Sequence, residues 1–182
     1  MLPHYRNSRA GVNKYEPVYA NLYEVTVLPP PGISGGELLI EHVNTISGLE
    51  TEKGSDVVEQ EFKHSQRSYA SGRPTATTVD FTINFSLNLN DDNEMYVYKT
   101  FRDWNRLINN PLTGEQGLKK DYSDAKVIVT MFNRAGDIHW QRTFHDTFIV
   151  GNIPALDLDY SSGDPLALDI AFRSDYWTEN QI

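Results

Sequence analysis

The chain has 182 residues, 39% of them hydrophobic, no cysteine, and a formal net charge of −9. That length supports one well-buried core and is short for two, so a single domain over residues 1–182 is expected. The missing cysteine excludes a disulfide scaffold and thiolate chemistry, and the acidic balance argues against a nucleic-acid grip, which needs clustered Lys and Arg.

The first residues, M-L-P-H-Y-R-N-S-R, hold no apolar run of signal-peptide length, and nothing approaches the roughly 20 apolar residues of a membrane span. A soluble chain made in the cytoplasm, without a membrane partner, is the expectation. Residues 1–19 carry Arg6, Arg9 and Lys14 against Glu16. They read either as a loose N-terminal arm or as an arm that orders against a neighbouring subunit. Asn21 to Leu28 alternates as a strand and stops at Pro29-Pro30-Pro31.

Gly32-Ile33-Ser34-Gly35-Gly36 matches the G-x-S-x-G pattern of hydrolase nucleophile elbows. That motif needs a strand before it and a helix after it. Here prolines precede it and the strand-like Glu37 to Val43 follows, so a turn is expected and catalysis at Ser34 is not. From Glu50 to Thr78 the chain is polar. Its first half holds Glu50, Glu52, Asp56, Glu59 and Glu61 against Lys53, and its second half Lys63, His64, Arg67 and Arg73 without an acid. A solvated loop or protruding hairpin accounts for this composition. Segregated charge is equally what a complementary protein–protein contact uses. Both readings stand at this point.

Val79 to Leu89 alternates without a break, apolar at odd positions and polar at even ones, the pattern of a strand buried on one face. Residues 91–110 read as the one clear helix. Asp91 and Glu94 have capping-box spacing, Val97, Phe101, Trp104 and Ile108 form an apolar stripe widened by Tyr98 and Leu107, and Pro111 ends it. Capping also explains the acids around Asp92 better than calcium does, since no glycine sits at the turn position of an EF-hand loop. Strands follow at Lys126–Phe132 and Ile138–Phe144 around the turn Asn133–Asp137. His139 and His145 lack a Cys or well-placed acid and read as surface or core histidines. Leu156 to Tyr160 alternates again, as do Leu166 to Phe172. From Asp146 onward there are seven acids and one Arg. The pattern as a whole is a mainly β, antiparallel barrel or sandwich with one flanking α-helix and a long charged loop or hairpin. It holds no phosphate loop, dinucleotide fingerprint or zinc-protease motif.

Several of these stretches, in the same order, resemble the tail tube proteins of contractile-tailed bacteriophages. They are Asn21 to Val27; the strand-like run from Leu38 followed by Thr45-Ile46-Ser47-Gly48-Leu49; the charged loop; the strand from Val79; Phe101-Arg102-Asp103-Trp104; and an ending formed by Gly151-Asn152-Ile153-Pro154, Leu156-Asp157-Leu158-Asp159, Gly163-Asp164 and Ile170 to Trp177. The loop after Gly48 is long for that family, and residues 112–122 have no counterpart in it. The resemblance implies a structural protein without catalysis, cofactor or metal. It implies homohexameric rings stacked into a tube inside a sheath, in a virion tail assembled in the host cytoplasm. Baseplate, tail-terminator and sheath proteins would be partners, with tape-measure protein and DNA passing through the lumen. Under it Glu50, Glu52, Lys53, Asp56, Glu59, Glu61, Lys63, Arg67 and Arg73 become candidate inter-subunit or inter-ring contacts. Asp80, Thr82, Asn84, Ser86, Asp169 and Arg173 become candidate lumen residues, and Lys99, Arg102, Asp103 and Arg106 candidate sheath-facing ones. Tube initiators or terminators of baseplates, and the tubes of type VI secretion and extracellular injection systems, share the implied fold. A β-sandwich carbohydrate-binding module, using Tyr122, Trp140 and Tyr160, is the remote alternative.

Overall fold

The computed structural model describes residues 17–49, 57–70, 78–154, 156, 158, 159, 161 and 163–181. In chain order the elements are β1 (Tyr23–Leu28), a 3-10 helix (Gly36–His42), β2 (Val43–Ser47), β3 (Val57–Phe62), β4 (Ser65–Ala70), β5 (Val79–Ser86) and α1 (Tyr96–Ile108). They continue with α2 (Lys119–Tyr122), β6 (Lys126–Phe132), β7 (Ile138–His145), β8 (Phe148–Ile149), β9 (Ala167–Ser174) and β10 (Tyr176–Gln181). One four-stranded sheet has the order β1-β6-β7-β10, a second β2-β5-β9-β8, and β3 and β4 form a two-stranded sheet. Every pairing is antiparallel. The chain is therefore mainly β with one main helix.

The period of two decides what is buried. Val79, Phe81, Ile83 and Phe85 of β5 point inward with Leu168, Ile170 and Phe172 of β9, and Val25, Val27, Val127, Val129 and Phe144 come from the other sheet. Phe81 bridges the layers, with its ring 4.6 Å from Phe144 and 5.6 Å from Phe172. Further along the same inner face α1 takes over: Phe101 lies 4.7 Å from Phe85 and 6.0 Å from Phe172, and Trp104 5.8 Å from Phe172. The helix thus closes the part of the β5–β9 face that the first sheet leaves open. Buried Trp104 needs a partner for its indole N–H, and Nε1 donates to Tyr122 O at 2.9 Å, tying α1 to α2.

Three expectations need correction, and one strand, β10, lies beyond them. The helix starts at Tyr96 instead of Asp91, and no capping box forms. Asn90 Oδ1 accepts from the N–H groups of Asp92 (3.0 Å) and Glu94 (2.8 Å), and Asn93 sits at φ 58, so an Asx-type turn satisfies those donors first. The run from Leu38 is a 3-10 helix, and the strand begins only at Val43. A short apolar run is ambiguous between the two, and burial of Leu39 in the core selects the helical form. Leu156, Leu158 and Asp159 are not in a strand, and Leu158 is exposed. Finally, Asp175 interrupts the C-terminal alternation, and β10 turns back to pair with β7.

Trp104→Ala is expected to cost about 3–5 kcal/mol in denaturant unfolding, the usual loss for a buried aromatic. A loss under about 1 kcal/mol would mean the helix does not close the core.

Candidate functional site

The outward face of the second sheet is built by the same register that builds the core. Asp80 stands opposite Arg173, Thr82 opposite Ala171, Asn84 opposite Asp169 and Ser86 opposite Ala167. Arg173 grips Asp80 with both arms of its fork, Nε to Oδ1 at 2.6 Å and Nη2 to Oδ2 at 2.7 Å. Those hydrogen bonds, and then the carboxylate charge, raise the Arg173 pKa above its ordinary value. A polar ladder crosses three strands beside this pair: Asn44 Nδ2 donates to Asn84 Oδ1 at 2.9 Å, and Asn84 Nδ2 to Asp169 Oδ1 at 2.7 Å. Ser86 Oγ donates to His42 O at 3.2 Å. All six residues expected to line a lumen therefore share one face, and Asn44 of β2 joins them. The β5 and β9 members of that group carry two carboxylates and one guanidinium, so the face keeps one unneutralised negative charge.

The charged excursion is a two-stranded ribbon turned at Lys63-His64, with every residue of β3 and β4 exposed. Register separates its charges by face. Val57, Glu59 and Glu61 share one face with Ala70, Ser68 and Gln66; Val58, Gln60 and Phe62 share the other with Tyr69, Arg67 and Ser65. Gln66 Nε2 donates to Glu59 Oε2 at 2.6 Å, and the Arg67 guanidinium lies 5.8 Å from the Phe62 ring centre. One face is acidic and the other aromatic and basic. Glu50, Glu52, Lys53, Asp56 and Arg73, grouped with these residues on the sequence, lie outside the described residues.

On α1 the four outer charges answer one another or a near neighbour. Lys99 Nζ meets Glu94 Oε2 at 3.0 Å, and Asp103 Oδ1 takes Arg102 Nη2 at 3.2 Å and Arg106 Nη1 at 3.9 Å. At the helix start a cleft of about 340 Å³ is lined by Gly32, Ile33, Ser34, Gly35, Glu94, Tyr96, Lys99, Thr100 and Asp103. Burial, and then the Glu41 charge, push the Tyr96 hydroxyl pKa up. Ser34 follows a turn at Pro31-Gly32 and precedes the 3-10 helix, and among the described residues no histidine lines its cleft. His139 and His145 stand six residues, or about 20 Å, apart along β7, with His139 at an irregularity in the ladder. Among the described residues no three His, Cys, Asp or Glu side chains converge as a metal site.

Sequence reasoning passed over Arg142. It is 2% exposed, with its guanidinium 5.0 Å from the Trp140 ring and 4.4 Å from Trp177, and Nε donates to Glu179 Oε2 at 3.1 Å. Its parity with Trp140 and Phe144 was the signal, because period two puts all three on the inner side. The ion pair joins β10 to β7. Replacing Glu179 by Ala removes the carboxylate facing a buried guanidinium and should cost about 3 kcal/mol in thermal or denaturant unfolding, with β10 amides losing hydrogen-exchange protection. An unchanged exchange pattern would contradict that role.

These features define an antiparallel two-sheet fold with a closing helix, an ordered polar outer face and a projecting ribbon. No family model and no curated protein sequence matches the chain. Among solved structures, it is similar to the tube terminating cap of the anti-feeding prophage, at TM-score 0.63 and 12% identity over 94% of this chain and 96% of that one. It is also similar to a chain of the extended sheath-tube complex of PVC, an extracellular contractile injection system (TM-score 0.58, 14% identity, 91% and 93% covered). A chain of the PVC sheath/tube terminator matches at TM-score 0.58 and 14% identity, covering 91% and 98%. At these identities the likeness is one of fold: this chain has the fold found in tube and tube-terminator assemblies of contractile injection systems.

Proposed function

We propose that this chain is a non-catalytic protomer of the inner tube of a contractile tail, forming stacked hexameric rings whose channel passes DNA. The observation that carries the reading is the β5–β9 pair, apolar on one face and an ordered polar ladder on the other, set in a sheet with open edges. β2 is a terminal strand, and β8 spans two residues, so among the described residues no strand covers β9 from Ala167 to Ile170 on its outer side. Such edges are a liability in a monomer and a means of joining copies into a closed wall. The face with Asp80, Thr82, Asn84, Ser86, Asp169 and Arg173 then lines the channel, and its mildly acidic, hydrogen-bonded surface gives phosphates little to grip.

The ribbon supplies the ring-to-ring contact. A two-stranded hairpin is marginal alone, and Val57, Val58, Phe62 and Tyr69 are all exposed on it. Its acidic and aromatic–basic faces suit complementary neighbours. The outer charges of α1, Lys99, Arg102, Asp103 and Arg106, face the sheath, and Arg106→Ala affects assembly without affecting folding. The tape-measure protein, baseplate and terminator are the remaining partners, and the place of action is the tail of a virion. A second reading, a tube terminator, is favoured by the likeness to the anti-feeding prophage cap. It differs in that rings would not stack on themselves. In negative-stain microscopy the native chain is expected to form tubes, and a variant lacking Gly54 to Gly72 to remain folded without long tubes. Single unstacked rings from the native chain would select the terminator, and normal tubes from the deletion would refute the ribbon's role.

A further inference from the structure

Register gathers Val58, Phe62 and Tyr69, each about half exposed, on one face of the ribbon together with Arg67. Val58 stands opposite Tyr69, Gln60 opposite Arg67, and the Lys63-His64 turn adds positive charge at the tip. Among the described residues no carboxylate pairs with Lys63 or Arg67. A two-stranded hairpin gains little from its own pairing, so a face of this composition needs a cover. The cover that suits it is apolar and acidic.

The turn that leads from β5 into α1 has that composition. Asn90 N donates to Glu94 O at 3.1 Å, and the Asn90 side chain takes the N–H groups of Asp92 and Glu94, so the turn is closed without a partner. Closure brings Leu89 and Met95, both exposed, to the two sides of one turn, with exposed Asp91, Asp92 and Glu94 between them. Lys99 answers Glu94, whereas among the described residues no cation pairs with Asp91 or Asp92. A corner preset in this way loses little entropy on contact. Its position adds a direction. β5 runs eight residues from Val79 to Ser86, about 27 Å. The ribbon joins the body at the Val79 end, where β2 stops at Ser47 opposite Thr82 and a Cβ on Gly48 would stand 3.0 Å from Asp80 O. The corner follows the Ser86 end. Ribbon root and corner therefore mark opposite ends of the same strand.

We propose that the Val58–Phe62–Arg67–Tyr69 face of one copy's ribbon covers the Leu89–Met95 corner of the next copy, with Lys63 and Arg67 meeting Asp91 and Asp92. The proposal rests on the ribbon's role between rings and names the surface it meets. Because the two halves lie at opposite ends of β5, the same displacement joins each copy to its successor, a head-to-tail contact of the kind that propagates. An equal mixture of isotopically light and heavy native chains, assembled and treated with a carbodiimide, should yield peptides joining Lys63 of one isotope to Asp91, Asp92 or Glu94 of the other. Lys63 joined between copies only to other carboxylates overturns the contact. Lys63→Glu with Arg67→Glu should keep the native circular dichroism spectrum and lose about tenfold or more in sedimenting tubes, leaving single rings, because like charges then face each other. Asp91→Lys with Asp92→Lys should do the same, and all four substitutions together should return tubes to within about threefold of native. Native amounts of tube from either reversed pair, or no recovery when both are reversed, overturn the corner contact and leave the tube reading standing. A native chain that never assembles, or whose rings never stack, overturns both.

Discussion

The eight-rung pairing of β5 with β9, from Val79 opposite Ser174 to Ser86 opposite Ala167, is the constraint on which the rest depends. Side chains alternate across a strand, so a slip of β5 by one residue would send Phe81, Ile83 and Phe85 to water and bring Asp80 inside. With the register in place, one face offers Phe172 and Phe85 to α1 and Phe81 to the facing sheet. The other face acquires its paired and laddered polar groups. Core and functional surface are two sides of one alignment.

That coupling changes how the acidity of the chain is understood. A net charge of −9 suggests a repulsive lining for a DNA channel, yet Asp80 is held by Arg173 and Asp169 accepts from Asn84. On this face one carboxylate is paired with a guanidinium and the other is hydrogen-bonded to an amide. In the proposed channel, low adhesion would come from carboxylates and amides already occupied with one another, and exposed pairs of this kind add little stability. The same self-pairing occurs on α1, where Asp103 serves two arginines. In the ribbon, by contrast, register separates the signs, leaving an acidic face and a basic one. Unmatched charge is concentrated where contact between copies is proposed.

Wherever one periodicity ran long enough, the fold was legible in the sequence. β5 and β9 alternate over eight residues each, and Val97, Phe101 and Trp104 mark α1. Shorter signals misled. Asp91 and Glu94 have capping-box spacing, but the Asn90 side chain competes for the same donors. The run Leu38-Leu39-Ile40 has no period to read, and Leu39 settled its form through tertiary burial. β10 was hidden because the turn at Asp175 costs a single residue. Of the candidate site, the outward residues of β5 and β9 followed from parity, whereas Asn44 needed the β2 register. Non-local pairing of that sort leaves no local trace in the chain.

The central claim is that the polar face of the β5–β9 sheet encloses a channel formed by copies of this chain. A cryo-electron microscopy reconstruction of the purified, assembled protein tests it most directly. The account predicts a closed ring with Asp80, Asn84, Asp169 and Arg173 on the channel wall and α1 on the outside. A ring with that face turned outward, or a chain that stays monomeric at every concentration, would contradict it.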